Sequence, residues 1–158
     1  MSADLISALE TEARALVLPA FSETDALALG QALVAMGLAR NLPIVINIRS
    51  PNRTYFHAAL PGSSPLNDHW AQRKSNSALM FHTASYLVGQ RHLAKGGSLA
   101  ANGLDPETYA DHGGAVPIVV AGVGLVAVAT VSGLPSAEDH ALVVAALKDA
   151  IARATPTV

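Results

Sequence analysis

The stretch PIVINIRSPNRTYFHAAL, residues 43–60, predicts a β-hairpin that turns at Ser50, Pro51 and Asn52. Apolar residues alternate along both arms, which is typical of strands with one buried face. The residues expected on that face are Ile44, Ile46, Ile48, Thr54, Phe56, Ala58 and Leu60. A three-residue turn would place Arg49 opposite Arg53. Like charges directly across a ladder are unfavourable, so solvent, an acid from elsewhere or a bound anion would have to offset them.

A second hairpin is predicted from residues 117–120 and 125–133, joined across the glycines at 122 and 124. Helical spacing predicts helices over roughly residues 1–16, 21–41, 67–92 and 135–154, and Ser22 with Asp25 forms a capping box for the second of these. Strands that are joined as hairpins form antiparallel ladders. The expected fold is therefore α+β, with an antiparallel sheet of about four to five strands flanked by helices.

Composition limits the class of protein. The 158 residues fit one domain, 1–158. Of these residues 51% are hydrophobic and only 14% are charged, which excludes a disordered chain. The same composition suggests that some apolar surface is covered in a subunit interface. The sequence has no cysteine, so disulfides, thiolate metal sites and cysteine nucleophiles are excluded. The N-terminus lacks signal-peptide order, and the longest apolar run is short and interrupted. We expect a cytoplasmic protein with no membrane partner.

Charge is distributed unevenly along the chain, whose net charge is −2. Between Arg40 and Lys95 there are seven bases and one acid, Asp68. This segment could attract an anionic ligand, or acids from the flanking segments could cancel its charge in the fold. The overall charge and the scarcity of aromatic residues argue against a nucleic-acid partner.

Two short motifs contain candidate ligand-binding residues. In DHGG, residues 111–114, His112 could titrate or ligate a metal, and Gly113 and Gly114 would let the backbone approach a ligand closely. In WAQRK, residues 70–74, Trp70 and Arg73 can stack at i, i+3 on a helix, and Lys74 lies beside them. These groups could hold a carboxylate or phosphate, but spacing alone favours a loop histidine beside turn glycines and a solvated helix edge with a partly buried Trp. AGVG, residues 121–124, lacks the third glycine of a phosphate-binding fingerprint and is interpreted as a hairpin turn.

The stretch VSGLPSAEDH, residues 131–140, leads from a strand into the last helix. Ser136 and Asp139 have the spacing of a capping box, which gives Asp139 a structural role. His140 lies in line with Val144 and Leu147, on the face that should pack inward. It is either a core histidine or part of a pocket wall. His82, in an apolar part of its helix, is interpreted as a core or interface histidine.

VSGLPSAEDH, HGGAVPIVV and WAQRK together resemble the signature blocks of an uncharacterised family in the haem-degrading-domain superfamily, over a core of about residues 21–154. Its relatives are haem-binding sensor proteins, glycolate-utilisation accessory proteins and the C-terminal domain of cobalamin adenosyltransferases. The resemblance implies a profilin/PAS-like fold, homodimers or higher homo-oligomers, and haem or another tetrapyrrole as ligand. The residues in the shared blocks are Trp70, Arg73, Lys74, His112, Gly113, Gly114, Asp139 and His140.

The site implied by this resemblance is one cavity or inter-subunit cleft with a basic rim for propionates and a histidine near its base. In a binding protein, His112 or His140 would ligate the metal, and Arg73 and Lys74 would meet the carboxylates. In an enzyme, one of these histidines would act as general acid or base, oriented by Asp111 or Asp139. A third alternative is an adaptor oligomer without any ligand.

Overall fold

A computed structural model describes residues 2–154 as eleven consecutive elements. The elements are α1 (Ser2–Ala15), β1 (Val17–Leu18), α2 (Glu23–Ala39), β2 (Val45–Ser50), β3 (Arg53–Ala59), α3 (Pro65–Phe81), α4 (Ser85–Lys95), a 3₁₀ turn (Ala100–Asn102), β4 (Ala115–Val120), β5 (Gly124–Ser132) and α5 (Ser136–Ala154).

The five strands form one sheet in the order β1-β4-β5-β2-β3. The α+β class and the strand number are confirmed. The sheet is mixed, however, because β1 pairs in parallel with β4 while the other pairs are antiparallel. A strand of two residues is too short to show the alternation by which strands are recognised in a sequence, and β1 was therefore missed.

The first hairpin has the predicted faces except at Thr54, which is exposed and pairs with Arg49, and it has a different turn. Ile46 pairs with Ala58 and Ile48 with Phe56, as the alternation requires. The turn contains only two residues beyond the paired Ser50 and Arg53, and the register shifts between Ile48 and Arg49. The expected pairing of Arg49 with Arg53 is therefore wrong. The bulge removes the like-charge contact by moving Arg49 opposite Thr54.

Two layers of helix cover the sheet. On one face, α2 and α5 pack on Ile46, Ile48, Ile118 and Val131 in the main core. On the other face, α3 packs on β4 and β5 around Ala78, Ala115 and Val128. The capping box predicted for the second helix is present, since Ser22 and Asp25 satisfy each other's backbone N–H groups. Both predicted hairpins thus lie between helical layers.

The long helix predicted over residues 67–92 is wrong, because the chain breaks into α3 and α4. His82 ends α3 in the left-handed region at φ 52°, a conformation that is uncommon outside glycine. The Thr83 hydroxyl donates to the Phe81 carbonyl at 3.0 Å, replacing a helical acceptor contact. Sequence patterns usually show helix ends through glycine or proline, and neither occurs at residues 82–84.

A buried ion pair joins the two layers at the end of β5. Lys74 Nζ on α3 donates to Asp139 Oδ2 on α5 at 2.9 Å, and the two side chains are 5% and 0% exposed. Asp139 also accepts from the backbone N–H groups of Gly133 and Leu134, at 3.3 and 3.0 Å. The predicted capping box between Ser136 and Asp139 is therefore wrong, because the Asp139 carboxylate accepts from Lys74, Gly133 and Leu134 instead. Burial raises the pKa of Asp139, and the Lys74 charge opposes that shift.

We predict that Lys74→Met lowers the free energy of unfolding by about 3–5 kcal/mol, because it leaves a buried carboxylate without its counter-charge. Urea unfolding measures the loss. Lys74→Met with Asp139→Leu is the matched double variant, and it should cost less than the two single variants added together.

The difference between Lys74→Met and the parent should also shrink as pH falls. Removing Lys74 raises the pKa of Asp139 further, so the carboxyl becomes neutral first in the variant, and a neutral carboxyl no longer needs the ammonium. A difference that is constant with pH would contradict the assignment of the loss to Asp139.

Candidate functional site

The largest recess described lies between α1, α4 and the outer side of β4. We call it the α1 recess; its volume is about 840 Å³, within the range of sites for cofactor-sized ligands. Its walls are mainly apolar. The apolar residues that line it are Leu9, Ala13, Leu16, Val17, Ala84, Leu87, Val116, Pro117 and Val119.

Two imidazoles line the α1 recess, and their surroundings differ. His140 is 5% exposed; its Nε2 donates to Glu12 Oε1 at 2.7 Å, and its buried Nδ1 has no hydrogen-bond partner among residues 2–154. His82 is exposed, and its side chain has no partner in that described part of the chain. The interpretation of His82 as a core histidine is therefore wrong, because the break between α3 and α4 turns it outward.

The charged residues around the α1 recess are Glu10, Glu12, Arg14 and Arg91. Arg91 pairs with Glu10 at 3.0 Å across the α1–α4 contact. Arg14 contacts only the Thr11 hydroxyl, at 3.1 Å, so its charge is not paired with an acid in residues 2–154. Arg14 is thus the cation at this recess that is free to meet a carboxylate.

A second, smaller recess lies where β5 leads into α5. We call it the Trp70 cleft; its volume is about 350 Å³, and it is lined by Asn67, Trp70, Lys74, His112 and residues 132–136. His112 contacts the edge of the Trp70 ring, with ring centroids 5.0 Å apart. The Arg73 guanidinium lies over the same ring, 4.2 Å from its centroid. The predicted stacking of Trp70 with Arg73 is therefore present.

Both glycines of DHGG are needed where the chain passes this cleft. A Cβ on Gly113 would collide with the carbonyl oxygen of Ser136, and one on Gly114, at φ 141°, would collide with the carbonyl oxygen of Val131. Close backbone packing therefore explains these two residues without a ligand.

The seven predicted binding residues do not line one hollow in this chain. Trp70, Arg73, Lys74, His112, Gly113 and Gly114 lie around the Trp70 cleft, whereas His140 faces the α1 recess. The two basic groups also have partners within the chain. Lys74 is held by Asp139, and Arg73 donates to the Pro106 carbonyl at 2.6 Å. Neither guanidinium nor ammonium forms the free basic rim that was expected.

The carboxylates expected to orient the histidines are arranged differently. Asp111 Oδ1 lies 3.5 Å from His112 Nδ1, and its other oxygen lies 2.9 Å from His92 Nδ1. Asp139 contacts Lys74 rather than His140, whose acidic partner is Glu12. Residues 2–154 contain no group of three or more metal-binding side chains.

The basic segment is partly neutralised by acids from outside it. Glu10 pairs with Arg91, and Asp139 pairs with Lys74. Arg49 donates to the neutral Gln72 at 2.8 Å. The fold therefore mixes the charged segments at these positions. Across residues 2–154, none of the helices has the length and apolarity needed to span a bilayer.

Comparisons with known proteins agree on one family for this chain. A family model described as "Haem degrading protein HbpS-like" matches residues 21–148. A UPF0303 protein of Streptomyces coelicolor is 48% identical over 148 residues, which are 93% of this chain and 94% of the relative. A UPF0303 protein of Zymomonas mobilis is 41% identical over 143 residues, covering 90% and 77% of the two chains.

Solved structures with the same fold are also found. The crystal structure of the Ybr137w protein is 31% identical, with a TM-score of 0.85 over 97% of this chain and 90% of that one. HbpS has a TM-score of 0.65 at 18% identity, covering 82% of this chain and 88% of its own. The PduOC:heme complex has a TM-score of 0.69 at 19% identity, covering 82% and 94%. The two more distant likenesses show the fold alone.

We predict that Glu12→Ala lowers the free energy of unfolding by about 1–3 kcal/mol, because it leaves the buried His140 Nε2 without an acceptor. Amide hydrogen exchange in α1 should become faster. Glu10→Ala is the matched control: its pair with Arg91 is about 40% exposed, so its loss should cost about 0–1 kcal/mol. Equal costs for the two variants would show that the Glu12–His140 contact does not hold α1 in place.

Proposed function

Since the chain belongs to the HbpS-like family of haem-degrading proteins, we propose that it is a small homo-oligomeric protein that binds haem or a related tetrapyrrole in the α1 recess. The observation that carries this proposal is a large apolar recess with an unpartnered imidazole, His82, at its wall. PduOC, which has the same fold, forms a complex with heme.

The α1 recess fits a tetrapyrrole in size and polarity. A haem is a flat, mostly apolar ring, and the recess offers about 840 Å³ between apolar side chains of α1, α4 and β4. Burial of such a ring against aliphatic walls supplies most of the binding free energy at sites of this kind. The Trp70 cleft has less than half that volume and polar walls.

The residues that would hold the group are a histidine and an arginine. His82 has no partner among residues 2–154, so its imidazole would be the side chain that holds the iron. His140 would first have to break its hydrogen bond with Glu12, so we rank it second to His82 as the group that would hold the iron. Arg14 is placed to pair with a carboxylate side chain of the ligand. Bound haem would supply an iron centre for ligand binding or redox chemistry.

The first test is a hemin titration of the purified protein, followed by its Soret band. We expect saturable binding in the parent. His82→Ala should shift the band and weaken binding, because it removes the imidazole that would hold the iron. Arg14→Ala should weaken binding without changing the band position, since it removes a carboxylate partner and leaves the iron ligand in place.

His112→Ala is the matched control, because His112 is an exposed histidine outside the α1 recess. It should bind hemin as the parent does. If His112→Ala loses the band and His82→Ala keeps it, the ligand lies at the Trp70 cleft. A parent with no saturable Soret band would contradict the proposal as a whole.

Self-association is the second part of the proposal. Several large apolar side chains are exposed in the single chain: Val17, Leu27, Leu38, Leu66, Met80, Leu93 and Val123. Leu27 and Leu38 are 49% and 52% exposed and lie eleven residues apart on α2, three turns along the same side. Exposed apolar side chains on one helix side are typical of a subunit contact.

We expect sedimentation equilibrium at micromolar concentration to give a dimer or a larger multiple of the chain mass. Leu38→Lys should lower that mass, because it places a charge in the apolar contact. Leu93→Lys is the control, since Leu93 lies on α4 and is 77% exposed. A parent that sediments as one chain would contradict the oligomeric part of the proposal and leave the haem part untouched.

A further inference from the structure

We propose that the Trp70 cleft binds a small oxyanion, a carboxylate or a phosphate group, through hydrogen-bond donors that the fold leaves unused. This site is separate from the α1 recess and does not rest on the tetrapyrrole proposal.

Ser132 is the first unused group. It is the last residue of β5, it is 2% exposed, and it lines the cleft. Its hydroxyl has no hydrogen-bond partner in the described part of the chain. The hydroxyl oxygen is not sealed from solvent, so it is reached from the cleft, where water or a ligand can bond to it. The neighbouring Ser136 hydroxyl also lines the cleft and has no partner within residues 2–154.

Lys74 provides the charged donor. Its ammonium has three N–H groups. One donates to Asp139 Oδ2 at 2.9 Å, and a second is 3.4 Å from the Val131 carbonyl oxygen. The third has no acceptor among the residues that the structure describes. Lys74 is 4% exposed and lines the cleft, so its ammonium has a fixed position and is not a mobile surface group.

The start of α5 adds backbone donors to the same cleft. Ser136 and Ala137 are the first residues of this 19-residue helix, and their N–H groups have no acceptor within the helix. Such free N–H groups, with the positive end of the helix dipole, favour an anion. They supplement Ser132 and Lys74, which point to the ligand independently.

Two acceptors next to the cleft, the Asp139 carboxylate and the Pro135 carbonyl, are already engaged. Asp139 Oδ2 receives Lys74 and Gly133, and Oδ1 receives Leu134. The Pro135 carbonyl oxygen accepts from Glu138 and Asp139. The Lys74 ammonium and the free N–H groups at the start of α5 favour a ligand with several negatively charged acceptor oxygens. Carboxylate and phosphate groups have this property, and cationic ligands do not.

Trp70 makes the proposal directly measurable. It is the one tryptophan in the sequence, and its ring forms a wall of the cleft. Its emission therefore reports on this cleft and on no other part of the chain. We would titrate the ligand-free protein with sodium phosphate and with sodium acetate, and use sodium chloride at the same ionic strength as the reference.

We expect a saturable change in Trp70 emission with phosphate or acetate and not with chloride. Ser132→Ala should raise the dissociation constant about tenfold or more, because it removes one hydrogen bond to a charged ligand. Ser7→Ala, an exposed serine of α1, is the matched control and should leave the titration unchanged. Hemin binding by Ser132→Ala should equal that of the parent, so the two proposals fail separately.

Two results would overturn the inference. One is an emission change that chloride reproduces at equal ionic strength, which would mark a general salt effect. The other is a Ser132→Ala titration that matches the parent, which would show that the bound oxyanion does not use the cleft. Circular dichroism of Ser132→Ala establishes that the variant is folded before either result is read.

Discussion

The ion pair between Lys74 and Asp139 connects the two helical layers, and both recesses depend on it. Lys74 projects from α3 on one side of the sheet, and Asp139 belongs to α5 on the other. The pair also fixes the β5–α5 connection, because Asp139 holds the N–H groups of Gly133 and Leu134. A buried ion pair adds little net stability over apolar packing, but it tolerates few arrangements. It therefore specifies one position for the start of α5, with Asp139 buried against Lys74 and His140 facing the α1 recess.

The parts of the fold that follow from side-chain periodicity could be predicted from the sequence. Ile46 and Ile48 pack inward as the alternation requires, and Ser22 and Asp25 cap α2 as their spacing requires. The features of the fold that the sequence did not predict have a different physical origin. β1 is two residues long, and α3 ends at a histidine in a left-handed conformation. Tertiary contacts determine both features, and neither has a local signal in the sequence.

The candidate site also has features that could be predicted from the sequence and features that could not. The proximity of Trp70, Arg73 and His112 was anticipated from shared sequence blocks, and the side chains do lie together. The availability of their charges was not predictable, since the partners of Lys74 and Arg73 come from residues 65 and 33 positions away. His82 was missed for the opposite reason. In an unbroken helix it would lie among apolar neighbours, and only the break makes it a free imidazole.

The two proposed sites draw on different parts of the chain. Leu9, Glu12, Arg14 and Leu16 of the α1 recess precede residue 21, where the match to the haem-degrading family model begins. Every residue that lines the Trp70 cleft falls within that match. The shape of the α1 recess thus depends on how α1 docks, through Leu9 packing on Ala84 and Leu87 and through the Glu12–His140 contact. The Trp70 cleft depends on β5, α3, α5 and the loop that contains His112. The docking of α1 therefore determines the size of ligand that the α1 recess accepts. The proposed oxyanion donors of the Trp70 cleft lie instead in the part of the chain that matches the family model.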